Sequence, residues 1–204
     1  MKRIAIIAEG GGKGTGTQSI LKNGMDQFFR GISEQARDNG FQWKLAVCGS
    51  RNKTFRDFHI ALKDTNNSHV FLLVDSDGPV NKGRLDYLAE TAGFKNLSGA
   101  EEHFIHLMIQ TMEAWIMADG NALAVYYGQH FARNALPKAG NLETIAKSDL
   151  DACFKKAIAQ TRKPEYDKIH DAAALLSRIN PATVQSRRPS ARRFFEEVTK
   201  AITA

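Results

Sequence analysis

Only two cysteines occur among the 204 residues; Cys48 and Cys153 stand 105 positions apart, with no Cys or His neighbour at metal-ligand spacing. That argues against a disulfide framework and against a zinc site, and leaves each thiol as a small apolar side chain in a reducing compartment. No stretch of low complexity exceeds one glycine-rich loop, so neither a disordered nor a fibrous class fits. No apolar run approaches the ~20 residues of a membrane span. The run Ile4 to Ala8 is five residues long and meets Glu9 at once. It is too short for the apolar region of a secretion signal, so the expected location is the cytoplasm. Net charge is also missing from most of the chain. Residues 1–154 hold 17 Lys/Arg and 17 Asp/Glu, whereas the last 50 hold 11 and 5, so the whole excess of +6 lies at the end. Lys155, Lys156, Arg162, Lys163, Arg187, Arg188, Arg192 and Arg193 carry most of it. Such a basic stretch suits a phosphate backbone, and a solvated helix surface explains it equally well.

What is present is an ordinary share of apolar residues, 43%, enough for the core of one domain. Arg3 to Ala8, Phe41 to Cys48, Val70 to Val74 and Phe104 to Ile109 read as four strands. The third is continuously apolar, as a strand covered on both faces must be. Between them, apolar positions at three- and four-residue steps predict a helix through Ile20, Met25, Phe28 and Ile32, capped by Asn39-Gly40. Further helices are expected over Thr54 to Leu62, Leu85 to Thr91 and Met112 to Ala118, the last running into a second helix through Tyr127. Past Pro137 the pattern is helical over Leu150 to Ala159, Ile169 to Ile179 and Ser190 to Ile202, with Pro181 and Pro189 as the break before the last helix. Strand–helix alternation implies an α/β fold, with a mostly parallel four-stranded sheet of Rossmann-like form flanked by helices. The expected division is an α/β domain over 1–130 and a basic helical extension over 131–204 packed on it.

Three carboxylates fall where α/β folds carry chemistry, past the carboxyl ends of strands. Glu9 follows the first strand; Asp75 and Asp77 follow the third. Residues i and i+2 of an extended chain point to one side, so both aspartates reach one point. Carboxylates held together repel unless a cation sits between them, and oxygen ligands suit Mg²⁺ or Mn²⁺. Glu113, in a first helical turn, is either a ligand for a second ion or a favourable partner of the helix dipole. Asp119 reads as a helix cap. Arg51 follows the second strand and is placed to fork onto a phosphate, with a plain surface arginine as the alternative. The loop Gly10 to Gly16 matches neither a P-loop nor a dinucleotide fingerprint, although the amides of Gly10 and Gly11 are candidates to cradle a phosphate. Trp43 and Trp115 read as core packing.

Together, Glu9-Gly10 after a first strand and Asp75-Ser76-Asp77 after a third resemble the Toprim domain of topoisomerases, primases and the overcoming-lysogenization-defect nucleases, over roughly residues 1–120. The whole chain resembles a small bacterial Toprim-like family of unknown function, often encoded beside AAA- or ABC-type ATPases. Glu9-Gly10-Gly11-Gly12, Cys48-Gly49-Ser50-Arg51, Met112-Glu113-Ala114-Trp115 and Ala135-Leu136-Pro137-Lys138 carry that likeness. The resemblance implies Glu9 as general acid/base, Asp75 and Asp77 as metal ligands, and a late lysine at the scissile phosphate, with Lys138 and Lys168 as candidates beside His170. It departs from the family after the glycines, where Lys13-Gly14-Thr15-Gly16-Thr17 stands in place of acidic or serine-rich residues. The implied activity is a Mg²⁺-dependent nuclease, a hydrolase of phosphodiester bonds in DNA or RNA, acting in antiviral defence. The alternative is a non-catalytic or partner-gated subunit of an ATPase-containing defence complex.

Overall fold

The computed structural model describes residues 2–12, 14–91, 94, 100–138 and 140–204; Lys13 of the glycine loop lies outside them. Within these residues the apolar runs become β1 (Lys2–Ala8), β2 (Phe41–Val47), β3 (Asn67–Asp75) and β4 (Ile105–Met108). They form one sheet in the order β2-β1-β3-β4, every pair parallel. Ala8 lies opposite both Val47 and Leu73, and Asp75 lies opposite Met108, so all four carboxyl ends meet at one edge. The central strands have neighbours on both sides and helices on both faces. That is why Ile4 to Ala8 and Val70 to Val74 are apolar throughout and buried.

Strand alternation divides the core in two. Ile4, Ile6, Ala8, Phe71 and Leu73 join a large cluster with α1 (Thr15–Phe28), α2 (Arg30–Asp38), α5 (Met112–Ile116), α6 (Gly120–Tyr127) and the C-terminal helices. Those are α7 (Lys147–Ile158), α8 (His170–Leu176), α9 (Pro181–Arg187) and α10 (Pro189–Thr203). Ala5, Ile7, Leu72 and Val74 face a smaller cluster with Phe58 of α3 (Arg51–Lys63) and with Tyr87 and Leu88 of α4 (Arg84–Thr91). Residues 131–204 thus share the larger core with the sheet.

The single helix expected through Ile32 is two. At Phe29 the backbone turns, with φ −90° and ψ 7°, between α1 and α2. The turn lets the adjacent Phe28 and Phe29 both point inward, where they meet Phe195, and Phe29 also meets Phe194 and Trp43. Nor do the two late prolines mark one break. Pro181 and Pro189 each stand in the first turn of a helix, where a missing N–H costs nothing. The side chain of Asn180 accepts from the amides of Ala182 and Thr183 and so caps α9. Trp115 is buried and Trp43 packs against the same cluster, as expected of core residues. At Gly24 the backbones of α1 and α8 come so close that a Cβ would lie 2.4 Å from the carbonyl oxygen of Ala173.

Candidate active site at the strand ends

The pairing of the sheet continues into the loops and fixes the acids. Glu9 N donates to Leu73 O at 2.9 Å, Ser76 N to Met108 O at 3.2 Å, and Asp77 N to Gln110 O at 2.9 Å. Asp77 and Gln110 adopt φ values of 57° and 49°, a left-handed conformation that non-glycine residues keep where surrounding bonds hold it. Gly10 N donates to Gly49 O at 3.1 Å, and at Gly49, with φ 83°, a Cβ would lie 2.3 Å from Gly12 O. Two glycine loops are thereby pressed together beside Glu9. The Gly10 amide expected to cradle a phosphate is already committed to Gly49; Gly11 has φ 82°, and its carbonyl accepts from the Thr17 hydroxyl.

Arg51, the first residue of α3, lies among the acids. Its Nε donates to Glu9 Oε2 at 3.1 Å, and its Nη2 to Asp77 Oδ2 at 2.6 Å and to the Asp75 carbonyl at 2.8 Å. Asp77 Oδ1 accepts from Lys147 Nζ at 2.9 Å. Asp75 Oδ1 accepts from the amide of Met112 at 2.9 Å, which sets Glu113, the next residue, beside it. Electrostatics separate the three acids. Burial first, then the charges of Glu113, Glu9 and Asp77, hold the Asp75 carboxyl well above its ordinary range. Glu9 is also raised, by burial, against the opposing pull of Arg51. Asp77 goes down: burial opposes the shift, and Lys147 and Arg51 outweigh it. One carboxyl thus favours its proton beside another held ionised, the separation that acid–base chemistry needs.

Gln110 links the two halves of the site. It is buried, with its carbonyl accepting from Asp77 N. Its side-chain Oε1 accepts from Lys147 N at 3.1 Å, and its Nε2 donates to Ile145 O at 2.7 Å. The segment 145–147 is clipped to the acids by this one amide side chain.

Glu9, Asp75, Asp77, Glu113 and Arg51 are therefore brought together. Neither expected lysine is bonded to Glu9, Asp75 or Asp77, although Lys168 shares a cavity with Glu113. Lys138 lines a cavity with Asp119, Arg133 and Arg187, and Lys168 lines another with Glu113, Phe154 and Tyr166. Lys147 reaches Asp77 at the strand ends, and nothing in its local sequence singles it out. Asp119 is the cap expected of it: its Oδ1 accepts from the amides of Asn121 and Ala122, and its Oδ2 from Asn180 N. His170 pairs with Asp167 at 3.1 Å on an exposed helix end. Part of the basic excess is internal. Arg188 is buried with its guanidinium on Ala114 O, and Arg187 donates to Ala118 O and Pro137 O, so neither forms a solvated stripe.

Among the described residues no three His, Cys, Asp or Glu side chains stand closely enough to hold a metal ion. Arg51 and Lys147 carry the compensating positive charge instead. The donor chemistry nevertheless fits a hard divalent cation, because the groups around the buried Asp75 are carboxylates, whose charges add to the cost of its burial. No described helix is long and apolar enough to cross a membrane. A family model described as a domain of unknown function (DUF4276) matches residues 8–199. No curated protein and no solved structure matches the chain.

Proposed function

The chain belongs to the family described as a domain of unknown function (DUF4276), and from its own chemistry we propose that it is a Mg²⁺- or Mn²⁺-dependent phosphodiesterase of the Toprim type, a nuclease acting on DNA or RNA. One observation carries the reading: Asp75, Glu9 and Asp77 meet at the carboxyl edge of a parallel sheet with Glu113 beside them, and burial first, then the charge of these neighbours, holds Asp75 well above its ordinary range. Glu9, Asp75 and Asp77 would hold the ion once Arg51 has released Glu9 and Asp77 and the three carboxylates have drawn closer, with Glu113 alongside. A bound ion would supply polarisation of a phosphoryl oxygen and charge for the leaving oxygen. Glu9, whose affinity for a proton is raised by burial, would take a proton from the water that attacks phosphorus and pass it to the leaving oxygen as the phosphorus–oxygen bond breaks. Arg51 and Lys147 hold the anionic oxygens of the phosphate once Asp77 is engaged elsewhere. A cytoplasmic setting goes with this reading, in which Cys48 and Cys153 stand as free thiols.

The test is incubation with supercoiled plasmid and with total tRNA, in Mg²⁺, Mn²⁺ or EDTA, beside Asp75→Ala. Ion-dependent cleavage that disappears in the variant is the expected result, and its polymer names the substrate. A second reading is favoured by the pairing of Arg51 with both Glu9 and Asp77, which closes the site in the isolated chain. In that reading the chain is a subunit gated by a partner, an ATPase of the AAA or ABC type. It predicts no cleavage alone, and partner binding that survives Asp75→Ala.

A further inference from the structure

A second polar cavity, about 420 Å³ in volume, lies against β4, between the segment 80–83, the start of α4 and the start of α10. Lys82, Arg84, His106, Ser190 and Arg193 line it, together with the carboxylates of Glu102 and Glu143. Both carboxylates are engaged. Glu102 Oε1 accepts from the amide of Arg84 at 2.6 Å and from its Nε at 3.1 Å, while Oε2 accepts from Leu85 N at 3.0 Å. Glu143 Oε1 accepts from Ser190 N at 2.7 Å. Lys82 is paired with Glu90. His106 is 1% exposed, and its Nε2 faces the carbonyl of His103 at 2.9 Å, so that nitrogen carries the proton and donates.

What is left over is of one kind. Arg84 Nη1 and Ser190 Oγ are both buried, and no hydrogen-bond partner reaches either of them among the described residues. Ser190 is only 7% exposed, so bulk water does not serve its hydroxyl well. Arg193 adds an exposed guanidinium one helical turn further along α10. Buried donors without acceptors are costly, and both belong to residues bordering a cavity in which Glu102 already accepts three bonds and Glu143 Oε1 one. The missing group is an anion with several acceptor oxygens, which a guanidinium fork and a hydroxyl bind well.

We propose that this cavity is a phosphate-binding site, with Arg84, Ser190 and Arg193 as donors, separate from the carboxylates at the strand ends. The phosphate belongs either to a nucleic-acid backbone or to a free nucleotide. Its position ties the cavity to the acids through two chain segments. The segment 80–83 continues from Asp77 into α4. Glu143 precedes Ile145 and Lys147, which Gln110 holds. A phosphate drawing Arg84 and Ser190 together therefore acts on the two segments that carry Asp77 and Lys147. The site stands whether or not the strand-end acids cut phosphodiesters.

Calorimetric titration of the full chain in EDTA tests it, with inorganic phosphate, adenosine monophosphate and a short single-stranded oligonucleotide as probes. Wild type is expected to bind at least one probe, with roughly ten-fold weaker affinity in both Ser190→Ala and Arg193→Gln. Neither change disturbs the Arg84–Glu102 contact on which α4 rests. Binding of phosphate or the monophosphate would make the source a free nucleotide, and binding of the oligonucleotide alone would make it a backbone. No binding of any probe by wild type, or equal affinities in wild type and both variants, overturns the proposal. So does binding that is lost in Asp75→Asn but retained in Arg193→Gln.

Discussion

Asp75 sits where its own charge is a cost to the fold. Its charged form is disfavoured by burial and by three neighbouring carboxylates, while Met112 N still needs its Oδ1 as acceptor. Asparagine keeps that acceptor and removes the repulsion. Asp75→Asn is therefore expected to raise stability in EDTA by about 1 kcal/mol, a gain of a few degrees in melting temperature, while cleavage is lost. A melting temperature equal to or below wild type would count against the repulsion. His106 gives the pH dependence. Burial, aided by Arg84, lowers its pKa from 6.5 to about 3. The unfolded chain takes up this proton first, so the stability contribution is complete above about 6.5 and falls as the pH drops towards about 3. The slope expected is roughly 1.4 kcal/mol per pH unit across that window. In His106→Leu that part of the acid sensitivity should vanish from denaturant titrations, whereas an unchanged slope would assign it to other groups.

At the scale of elements, strands and acids were legible because both are local signals. A doubly covered parallel strand must be a continuous apolar run, and Glu9, Asp75 and Asp77 stand within three residues of where such runs end. Ala8 and Asp75, the ends of β1 and β3, fall where those runs predict. The break at Phe29 was not legible, since its cause is an aromatic cluster that Phe29 forms with Trp43 of β2 and Phe194 and Phe195 of α10. Lys147 was missed for a similar reason: its partner Asp77 is 70 residues away, and the clip that aims it is Gln110. Arg188 illustrates the converse, a residue counted as surface charge that the packing of α10 buries against Ala114. Close helix contact offers a direct test. Gly24→Ala would push a methyl into the backbone of Ala173 and separate α1 from α8. The expected cost is about 1–3 kcal/mol, read as a lower denaturation midpoint with an unchanged slope. A neutral result would mean that the two helices can move apart freely.

For the molecule as a whole, the C-terminal helices complete the core that the sheet begins. Phe194, Val198 and Ile202 of α10 are buried in the larger cluster with Ile4 and Ile6 of β1. Burying each contributes roughly 2 kcal/mol, so the three together approach the 5–15 kcal/mol by which a domain is stable. Removal of residues 189–204 should therefore leave a chain without cooperative thermal unfolding. A sharp transition in the truncated protein would show instead that the sheet and its nearer helices fold alone.

The strand order has a consequence for synthesis. β1 emerges from the ribosome first, yet it sits between β2 and β3 and pairs with both. Until Asp75 has emerged, one edge of this largely apolar strand has no neighbour to pair with. A nascent chain that stalls before that point exposes an unpaired, water-averse strand, the kind of segment that joins other chains or recruits a holding chaperone.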